Sequence, residues 1–189
     1  MTRPPSTSSS PEQQLSSVVL PEPDGVDLHA LSDAERTSGR ASSMGFIFQA
    51  YNLIPVFSAV ENVELPSLLA GVDPKDARRR AHETLERVGL ADRAKHRPGE
   101  LSGGEQQRVT VARAIAGRPR VVWADEPTGA LDSDNAVLVM RLLRELNVDG
   151  LTLILVTHDE GVGLSANRLV RMRDGRIVSD EHVGGSVSR

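Results

Sequence analysis

Apolar residues along the chain change their spacing in a way that separates strands from helices. From Gly25 onward, short apolar runs alternate with stretches in which apolar residues recur every three or four positions. Short continuous runs predict buried strands, and the wider spacing predicts amphipathic helices. Because a helix between two strands returns the chain to the same edge of a sheet, this alternation predicts an α/β fold with a largely parallel sheet.

Three apolar runs predict the strands of that sheet. They are MGFIF at 44–48, RVVWA at 120–124 and LTLILV at 151–156. The last two are nearly continuous in apolar residues, so we expect buried parallel strands there. Near the end, RLVRMRDGRIVSDE alternates on either side of Asp174-Gly175, which predicts a β-hairpin.

Three amphipathic segments predict helices. Asp73-Pro74 combines an N-cap with a proline at the first helical position, and an apolar stripe follows until Gly89. Ser102 and Glu105 have the spacing of a capping box, and the helical period continues to Gly117. The third helix is predicted over 133–147. In contrast, the stretch QAYNLIPVFSAVENVELP at 49–66 mixes apolar residues with Asn and Pro, and we expect a long irregular segment.

Composition divides the chain into a tail at 1–24 and one domain at 25–189. The first 24 residues are dominated by Ser, Pro, Gln and Thr, which predicts a disordered tail because such a segment buries too little apolar surface. Within it, only 17–20 resembles a short strand, and the prolines at 21 and 23 end it. At 189 residues, one substantial domain is expected.

Charge and cysteine content exclude several function classes. The formal net charge of -4 and a pI near 5.7 argue against a protein that binds nucleic acid through a strongly basic face. The absence of cysteine excludes disulfides, thiolate metal sites and a cysteine nucleophile. No apolar run is long enough to cross a bilayer, so we expect any membrane role to come through a partner.

Acidic residues and a histidine follow two of the predicted strands. A carboxylate at the end of a parallel strand can position a hydrated Mg²⁺, and a second acid beside it can orient or deprotonate an attacking water. Asp125 and Glu126 fit those two roles. His158, at the end of the next strand, fits a donor to a transferred phosphoryl group. Taken singly, the acids could equally form a helix cap, and the histidine could be a structural residue. Taken together, the three residues predict a phosphoryl-transfer site.

Ser102, Gly103 and Gly104 open a predicted helix. Amide groups at a helix start, together with the helix dipole, favour an anion, and glycines permit close approach to the backbone. The alternative is a capped helix with a flexible entry, which an isolated Ser-Gly-Gly would favour.

Several motifs in order resemble those of the ATP-binding cassette (ABC) ATPases. LSGGEQQR at 101–108, VVWADEPTGALD at 121–132 and VTHD at 156–159 are similar to the signature motif, the Walker B strand with the D-loop, and the switch histidine. FIFQAYNLIPVFSAVENVELP at 46–66 resembles the Q-loop segment of the lipoprotein-release and macrolide-exporter subgroup. The resemblance covers roughly residues 25–180. It implies an α/β, P-loop NTPase-like cassette with a helical subdomain that carries the signature motif.

The resemblance also assigns roles to individual residues. Gln49 would contact Mg²⁺ and sense the membrane partner, and Asp125 would hold Mg²⁺ through water. Glu126 would be the general base toward water, and His158 would contact the γ-phosphate of ATP.

The same family pairs two cassettes around two ATP molecules. Ser102, Gly103 and Gly104 would therefore contact the γ-phosphate of a nucleotide bound mainly by the opposite subunit, and Asp132 would lie at the dimer interface. Residues 51–66 would be either part of the surface that receives a coupling helix or a packed loop.

The implied partners are a transmembrane permease subunit and a second cassette, identical or different, with no nucleic acid. The implied ligands are ATP and Mg²⁺. The implied location is the cytoplasm, peripheral on the inner face of the cell membrane.

The sequence departs from the family pattern in one respect. The family's phosphate loop has the form G-x-x-x-x-G-K-S/T, and neither Lys75 nor Lys95 follows such a turn. Residues 26–28 resemble the segment that comes after that loop. We therefore interpret 25–189 as an incomplete cassette, truncated at its N-terminus. We expect the strand flanking the loop to be missing from beside the Walker B strand, with an apolar edge and face exposed.

Three hypotheses follow for the function. The first is the ATPase subunit of an ABC transporter, which drives export or lipoprotein release through a membrane partner. The second is a non-catalytic cassette that only complements a complete partner's ATP site, or a truncated gene remnant. The third, a cassette ATPase of DNA repair or chromosome organisation, is disfavoured because the sequence lacks heptads and cysteines.

Overall fold

The computed structural model describes residues 43–183 of the chain. The predictions for 1–24, 17–20 and 26–28 lie outside the described residues. Five α-helices are found in the described part: α1 (Ala59–Leu69), α2 (Pro74–Arg87), α3 (Gly103–Ala116), α4 (Ser133–Val148) and α5 (Glu160–Leu164). Its strands are β1 (Met44–Phe48), β2 (Val121–Asp125), β3 (Thr152–Val156), β4 (Arg168–Arg173) and β5 (Arg176–His182).

The first three strands form the predicted parallel sheet, in the order β1-β2-β3. At its carboxyl end, Phe48 pairs with Asp125, and Asp125 pairs with Val156. The residues that follow these strands therefore meet at one edge of the sheet. We call this edge, formed by residues 49, 125–126 and 157–158, the carboxyl edge.

Helix α3 packs against the sheet and joins it to the helical part of the molecule. On the packed face of the sheet Ile47, Val122 and Ala124 are fully buried. A side chain at Gly45 would overlap the carbonyl of Ala114, so glycine at this position lets α3 lie close to β1. The opposite face of α3 contacts α1 and α2. One hydrophobic core thus includes residues from the sheet and the helices.

The prediction of an irregular segment over 49–66 is wrong from Ala59 onward, where α1 begins. Ser58 and Glu61 form a capping box, and the same spacing signal predicted the start at Ser102. Pro66 lies inside the helix and removes one backbone donor. Val60 and Val63 are almost completely buried, and this packing holds the helix despite the proline.

Strand β3 is not the buried strand that its sequence predicts. Thr152 and Val156 are exposed, and the three residues between them are only partly buried. Within 43–183, β3 pairs along one edge only, with β2. On the sheet face opposite α3, Phe46, Phe48 and Val156 are 38–41% exposed, which agrees with the expectation of an exposed apolar face. We expected a strand to be missing from beside the Walker B strand, which is β2. This prediction is wrong, because β2 is paired on both sides.

The remaining predictions are close to the observed elements. Helices α2 and α3 begin and end close to their predicted limits. Strand β2 is displaced by one residue from its predicted range, β3 begins one residue later than predicted, and α4 ends one residue later. The β4–β5 hairpin turns at Asp174 and Gly175, which have φ values of 50° and 72°. Helix α5 was not predicted. In the part of the chain that the structure describes, no helix has both the length and the apolarity needed to cross a bilayer.

Candidate functional site

The sheet brings the predicted acid, base and histidine positions to the carboxyl edge. Gln49 follows β1, Asp125 ends β2, and Glu126 comes next in the chain. Thr157 and His158 follow β3. Parallel strands in register place these five residues at the same edge of the sheet. Thr157 was not among the residues that the sequence singled out.

Glu126 and His158 are in direct contact. His158 Nδ1 lies 2.6 Å from Glu126 Oε1, and the His158 backbone amide donates to the same oxygen at 2.8 Å. The hydroxyl of Thr157 donates to Glu126 Oε2 at 3.1 Å. The sequence placed Glu126 and His158 only at the ends of two strands. In the structure the two side chains form a hydrogen-bonded pair.

The environment of Glu126 keeps its carboxylate ionised. Burial opposes ionisation, but the hydrogen bonds from the His158 side chain, the His158 amide and Thr157 outweigh it and lower the pKa of Glu126 below the ordinary glutamate value. An ionised carboxylate only accepts, so His158 Nδ1 carries the proton of the bond that joins them. The His158 side chain is 88% exposed, which leaves Nε2 open to a ligand.

The backbone at Glu126 is held in an uncommon conformation. Its φ is 45°, in the left-handed region that non-glycine residues seldom adopt. The Glu126 amide donates to Val156 O at 2.8 Å, and its carbonyl accepts from Gly129 at 3.1 Å. These two bonds hold the turn that points Glu126 toward β3 rather than along its own strand.

Asp125 and Gln49 flank this pair. Asp125 is exposed at the end of β2. The Gln49 side chain lies over the loop that follows Glu126, since a Cβ at Gly129 would be 3.0 Å from Gln49 Nε2. No group of three or more His, Cys, Asp or Glu residues within 43–183 forms a ready metal cage. Two oxygen ligands nevertheless fit Mg²⁺, which usually takes one or two protein ligands and keeps several waters.

The predicted capping box at Ser102 is confirmed. Ser102 Oγ accepts from the Glu105 amide at 3.2 Å, and Glu105 Oε2 accepts from the Ser102 amide at 2.8 Å. The first backbone bond of α3 runs from Gln106 to Ser102 O. The amides of Gly103 and Gly104 precede these donors, so the helix itself does not use them.

Both glycines of the signature-like motif pack against other side chains of the chain, Gly104 most closely. A Cβ at Gly103 would lie 2.8 Å from the Tyr51 hydroxyl oxygen, and one at Gly104 would overlap Asn135. Asn135 is held by Asp132, the N-cap of α4. The Asp132 carboxylate accepts from the Asn135 backbone N–H at 2.9 Å and from the Asn135 side-chain Nδ2 at 2.8 Å. The bond from the Asn135 amide is the main reason why the pKa of Asp132 is lowered.

These contacts group the predicted residues into two sets. Gln49, Asp125, Glu126 and His158 share the carboxyl edge. Ser102, Gly103 and Gly104 lie at the start of α3, where Gly104 packs against Asn135, the residue that Asp132 holds. Within 43–183 no hydrogen bond joins Ser102 to Glu126 or His158.

Sequence reasoning missed a buried residue that connects α3 to the carboxyl edge. Gln107 is 1% exposed, and its side-chain amide donates to Pro127 O at 2.6 Å and to Phe48 O at 3.4 Å. Its position inside the signature-like motif at 101–108 was the available signal, but its partners Phe48 and Pro127 are 59 and 20 residues away. Gln107 therefore ties the helix to the residues before Gln49 and after Glu126.

The loop that follows Gln49 is held by two further residues that sequence reasoning did not single out. The Arg113 guanidinium donates to Asn52 O at 2.6 Å and to Tyr51 O at 3.1 Å, and burial lowers the pKa of Arg113. Buried Asn62 bonds the backbone of Ile54 and Phe57. Residues 51–58 are therefore a packed loop; whether they also receive a coupling helix stays a prediction.

Sequence comparison relates the chain to transporter proteins. The family described as ABC transporter matches residues 15–129. The macrolide export ATP-binding/permease protein MacB of Burkholderia cenocepacia is 49% identical over 156 residues, which are 82% of this chain and 23% of that protein. An uncharacterized ABC transporter ATP-binding protein of Bacillus subtilis, YknY, is 47% identical over 155 residues, 82% of this chain and 67% of that protein. The chain thus spans less than a quarter of the length of the MacB relative.

Solved structures with a similar fold include two of MJ0796. A dimeric structure of this ATP-binding cassette, in a post-hydrolysis state bound to ADP and Pi, has a TM-score of 0.72 and 42% identity. It matches 82% of this chain and 69% of that chain. A second dimeric structure, of MJ0796 as a bacterial ABC transporter cassette, has the same TM-score and coverage at 43% identity.

Proposed function

This chain belongs to the ABC transporter family, and on that premise we propose that it is an ATP-binding subunit that couples ATP binding and hydrolysis to export or lipoprotein release. It would act with a transmembrane permease from the cytoplasmic face of the membrane. The observation that carries the proposal is the Glu126–His158 pair, formed at the ends of adjacent parallel strands. A water-activating carboxylate beside a donor to phosphate is what hydrolysis of a phosphoanhydride requires.

Glu126 is the general base of this proposal. In the observed arrangement both of its oxygens accept hydrogen bonds, from His158 and from Thr157. It is ionised, and the three hydrogen bonds from His158 and Thr157 use three of its roughly four lone-pair sites, so Oε2 keeps one acceptor site for the attacking water.

His158 contacts the γ-phosphate in this proposal through Nε2. Its Nδ1 proton is already used by Glu126. A neutral imidazole would then present Nε2 as an acceptor, so donation to phosphate requires the doubly protonated ring.

Asp125 and Gln49 would hold Mg²⁺ at the carboxyl edge. Bound Mg²⁺ would neutralise charge on the phosphates. Exposed Asp125 supplies a carboxylate oxygen, and Gln49 supplies an amide oxygen from the neighbouring strand. The position of the Gln49 side chain over Gly129 would also make it sensitive to movement of the loop that follows Glu126.

A second cassette would complete the site. The amides of Gly103 and Gly104 lie at the start of α3, apart from Glu126 and His158, so they suit a nucleotide bound mainly by another subunit. Asp132, linked to Gly104 through Asn135, would lie at the same interface.

The second candidate is a non-catalytic cassette that only complements a complete partner. One observation favours it: Lys75 lies in α2 and Lys95 in the loop after α2, so neither lysine belongs to the carboxyl edge. A phosphate-binding lysine of the family type is therefore not supplied by these residues.

The test compares ATP hydrolysis by the 189-residue chain and by its Glu126→Gln variant. We expect the variant to lose at least about 100-fold in turnover while ATP binding remains, because only the base is removed. Glu145→Gln, an exposed substitution on α4, is the matched control and should be neutral. Undiminished turnover in Glu126→Gln would rule out the assigned base.

The second candidate predicts a different result. The wild-type chain alone would be inactive, but it would raise the turnover of a complete cassette, and Ser102→Arg would abolish the increase. No increase on addition would exclude it.

A further inference from the structure

A buried amide of α3 holds the turn that carries the proposed general base. The side chain is that of Gln107, which is 1% exposed. Its Nε2 donates to Pro127 O at 2.6 Å, and Pro127 is the residue after Glu126. A longer bond, of 3.4 Å, joins the same nitrogen to Phe48 O, beside Gln49. One side chain therefore contacts the backbone at the ends of both β1 and β2.

The orientation of this amide is fixed by Thr110. Thr110 is completely buried, and its hydroxyl lies 3.1 Å from Gln107 Oε1 and 2.8 Å from Gln107 O. A reversed amide would bring Gln107 Oε1 against two carbonyl oxygens, which only a donor can satisfy. The nitrogen of Gln107 must therefore face Pro127 and Phe48, as observed.

Glu126 needs support from its surroundings because its backbone conformation is unfavourable. Its φ of 45° lies in the left-handed region, and such conformations persist only where neighbouring contacts hold them. The Glu126 amide is bonded to Val156 O, and its carbonyl to the amide of Gly129. Pro127, the next residue of the turn, has no N–H, so only its carbonyl can form a backbone hydrogen bond. Gln107 supplies the donor for that carbonyl.

The Glu126 carboxylate depends on the orientation of this turn. Its hydrogen-bond donors within 43–183 are Thr157 and His158, which follow β3, whereas Glu126 itself follows β2. Acceptor and donors thus belong to two different loops. A small rotation of the turn at Glu126 would therefore separate the carboxylate from its donors.

A purely structural role is the competing explanation for Gln107. Buried amides commonly do no more than satisfy carbonyl groups that would otherwise be unpaired. Such a role predicts a loss of stability when the amide is removed, with the Glu126–His158 pair unchanged in the molecules that remain folded. The two explanations therefore differ in a measurable way.

We propose that Gln107 is a positioning residue for Glu126, which it holds through Pro127 so that the carboxylate stays paired with Thr157 and His158. The inference rests on the proposed function for the role of Glu126 as a base. Gln107 itself contacts no reacting atom. It lies in the helix that begins at the signature-like motif, so the helix whose start would receive a second cassette's nucleotide also holds the base of this one.

The test is the tautomer of the His158 ring in the 189-residue chain without nucleotide, measured by NMR from the chemical shifts of its ring nitrogens. Above about pH 8 imidazole side chains are neutral, and the hydrogen bond to Glu126 favours the proton on Nδ1. Gln107→Met keeps the length of the side chain and removes both N–H donors. We expect it to lower the share of the Nδ1–H tautomer at least about twofold. Glu126→Ala gives the value for complete loss of the pair.

Asn62→Leu is the matched control. It removes another buried amide that bonds the backbone, at Ile54 and Phe57 rather than at the carboxyl edge. We expect it to lower the midpoint of urea denaturation and to leave the His158 tautomer unchanged.

Three outcomes would overturn the proposal. The first is an unchanged tautomer in folded Gln107→Met, and the second is an equal change in Asn62→Leu, which would indicate general loosening. The third is an unchanged tautomer in Glu126→Ala, which would show that the pair does not form in solution. If Gln107→Met fails to fold, Thr110→Val, which removes only the hydroxyl that orients the amide, must shift the tautomer in the same direction. None of these results depends on ATP turnover, so failure of this proposal is distinguishable from failure of the proposed function.

Discussion

Gly104 is fixed by its neighbours within the chain. Any side chain at this position would overlap Asn135, and Asn135 is held in place by both carboxylate oxygens of Asp132. The sequence suggested that this glycine leaves room for a phosphate. The structure adds a second requirement, which is close packing of α3 against the start of α4.

Replacement of Gly104 by alanine tests this requirement. We expect Gly104→Ala to lower the free energy of unfolding by about 1–3 kcal/mol, because the methyl group is forced against Asn135. Adding Asn135→Ala should restore most of the loss, and urea denaturation measures both variants. Gly117→Ala, at an open position that ends the same helix, should be nearly neutral. Equal effects at 104 and 117 would contradict the packing explanation.

The ionisation of Glu126 gives a prediction about pH. Its pKa is lowered in the folded state, so the ionised carboxylate stabilises the fold above its unfolded pKa, about 4.3, and this contribution is lost as the pH falls through the folded pKa. We expect the wild type to exceed Glu126→Gln in unfolding free energy at neutral pH, with the difference shrinking below about pH 4.3. Urea denaturation across this range measures it. A difference independent of pH would argue against an ionised Glu126 held by His158.

At the scale of elements, α1 and the loop before it form one unit. Ser58 caps the helix, and Asn62, one turn further, bonds back to the loop backbone. Asn62 is completely buried and makes four hydrogen bonds, two of them with Ile54. A loop that looks irregular in sequence is therefore held to the helix that follows it.

Removal of the Asn62 side chain should destabilise this unit. We expect Asn62→Ala to lower the unfolding free energy by about 2–3 kcal/mol, because buried backbone groups of Ile54 and Phe57 lose their partners. Asn147→Ala is the matched control, since that exposed side chain makes one bond, to Leu151 O, and should cost under about 1 kcal/mol. Thermal or urea denaturation distinguishes them. Equal losses in the two variants would mean that the loop is not held through Asn62.

At the scale of the whole molecule, the helical part and the sheet share one core. Leu85 of α2 and Ile47 of β1 are both fully buried in the same hydrophobic cluster, which α3 connects. The one tryptophan of the chain, Trp123, lies in β2. Its fluorescence therefore reports on the sheet, while circular dichroism reports mostly on the helices.

Shortening a core side chain of α2 should therefore lower the stability of the sheet as well as that of the helices. We expect Leu85→Ala to lower the unfolding free energy by about 2–5 kcal/mol, with equal shifts of the urea midpoint by Trp123 fluorescence and by circular dichroism. Leu69→Ala, at a position that is 77% exposed, should shift neither signal appreciably. A shift in circular dichroism alone would show that the helices and the sheet unfold separately.

Much of this architecture was readable from local sequence patterns. The apolar runs predicted β1, β2 and β3, and Asp73-Pro74 and the Ser102–Glu105 box predicted the helix starts, because caps and periodicity act over a few residues. The α1 start at Ser58 carried the same signal, but Pro66 obscured it. The low burial of β3 could not be read from its own apolar run, since burial depends on what packs against a strand; only the departure from the family pattern indicated an exposed apolar face.

The sequence by itself determined the α/β class, the family and the residues that gather at the carboxyl edge, because strand order in a parallel sheet brings strand ends together. Only the tertiary structure decided that Glu126 bonds His158, that Asn135 excludes side chains at Gly104, and that Gln107 connects α3 to both neighbouring loops. These contacts join residues separated by tens of positions, and no local pattern encodes such distances.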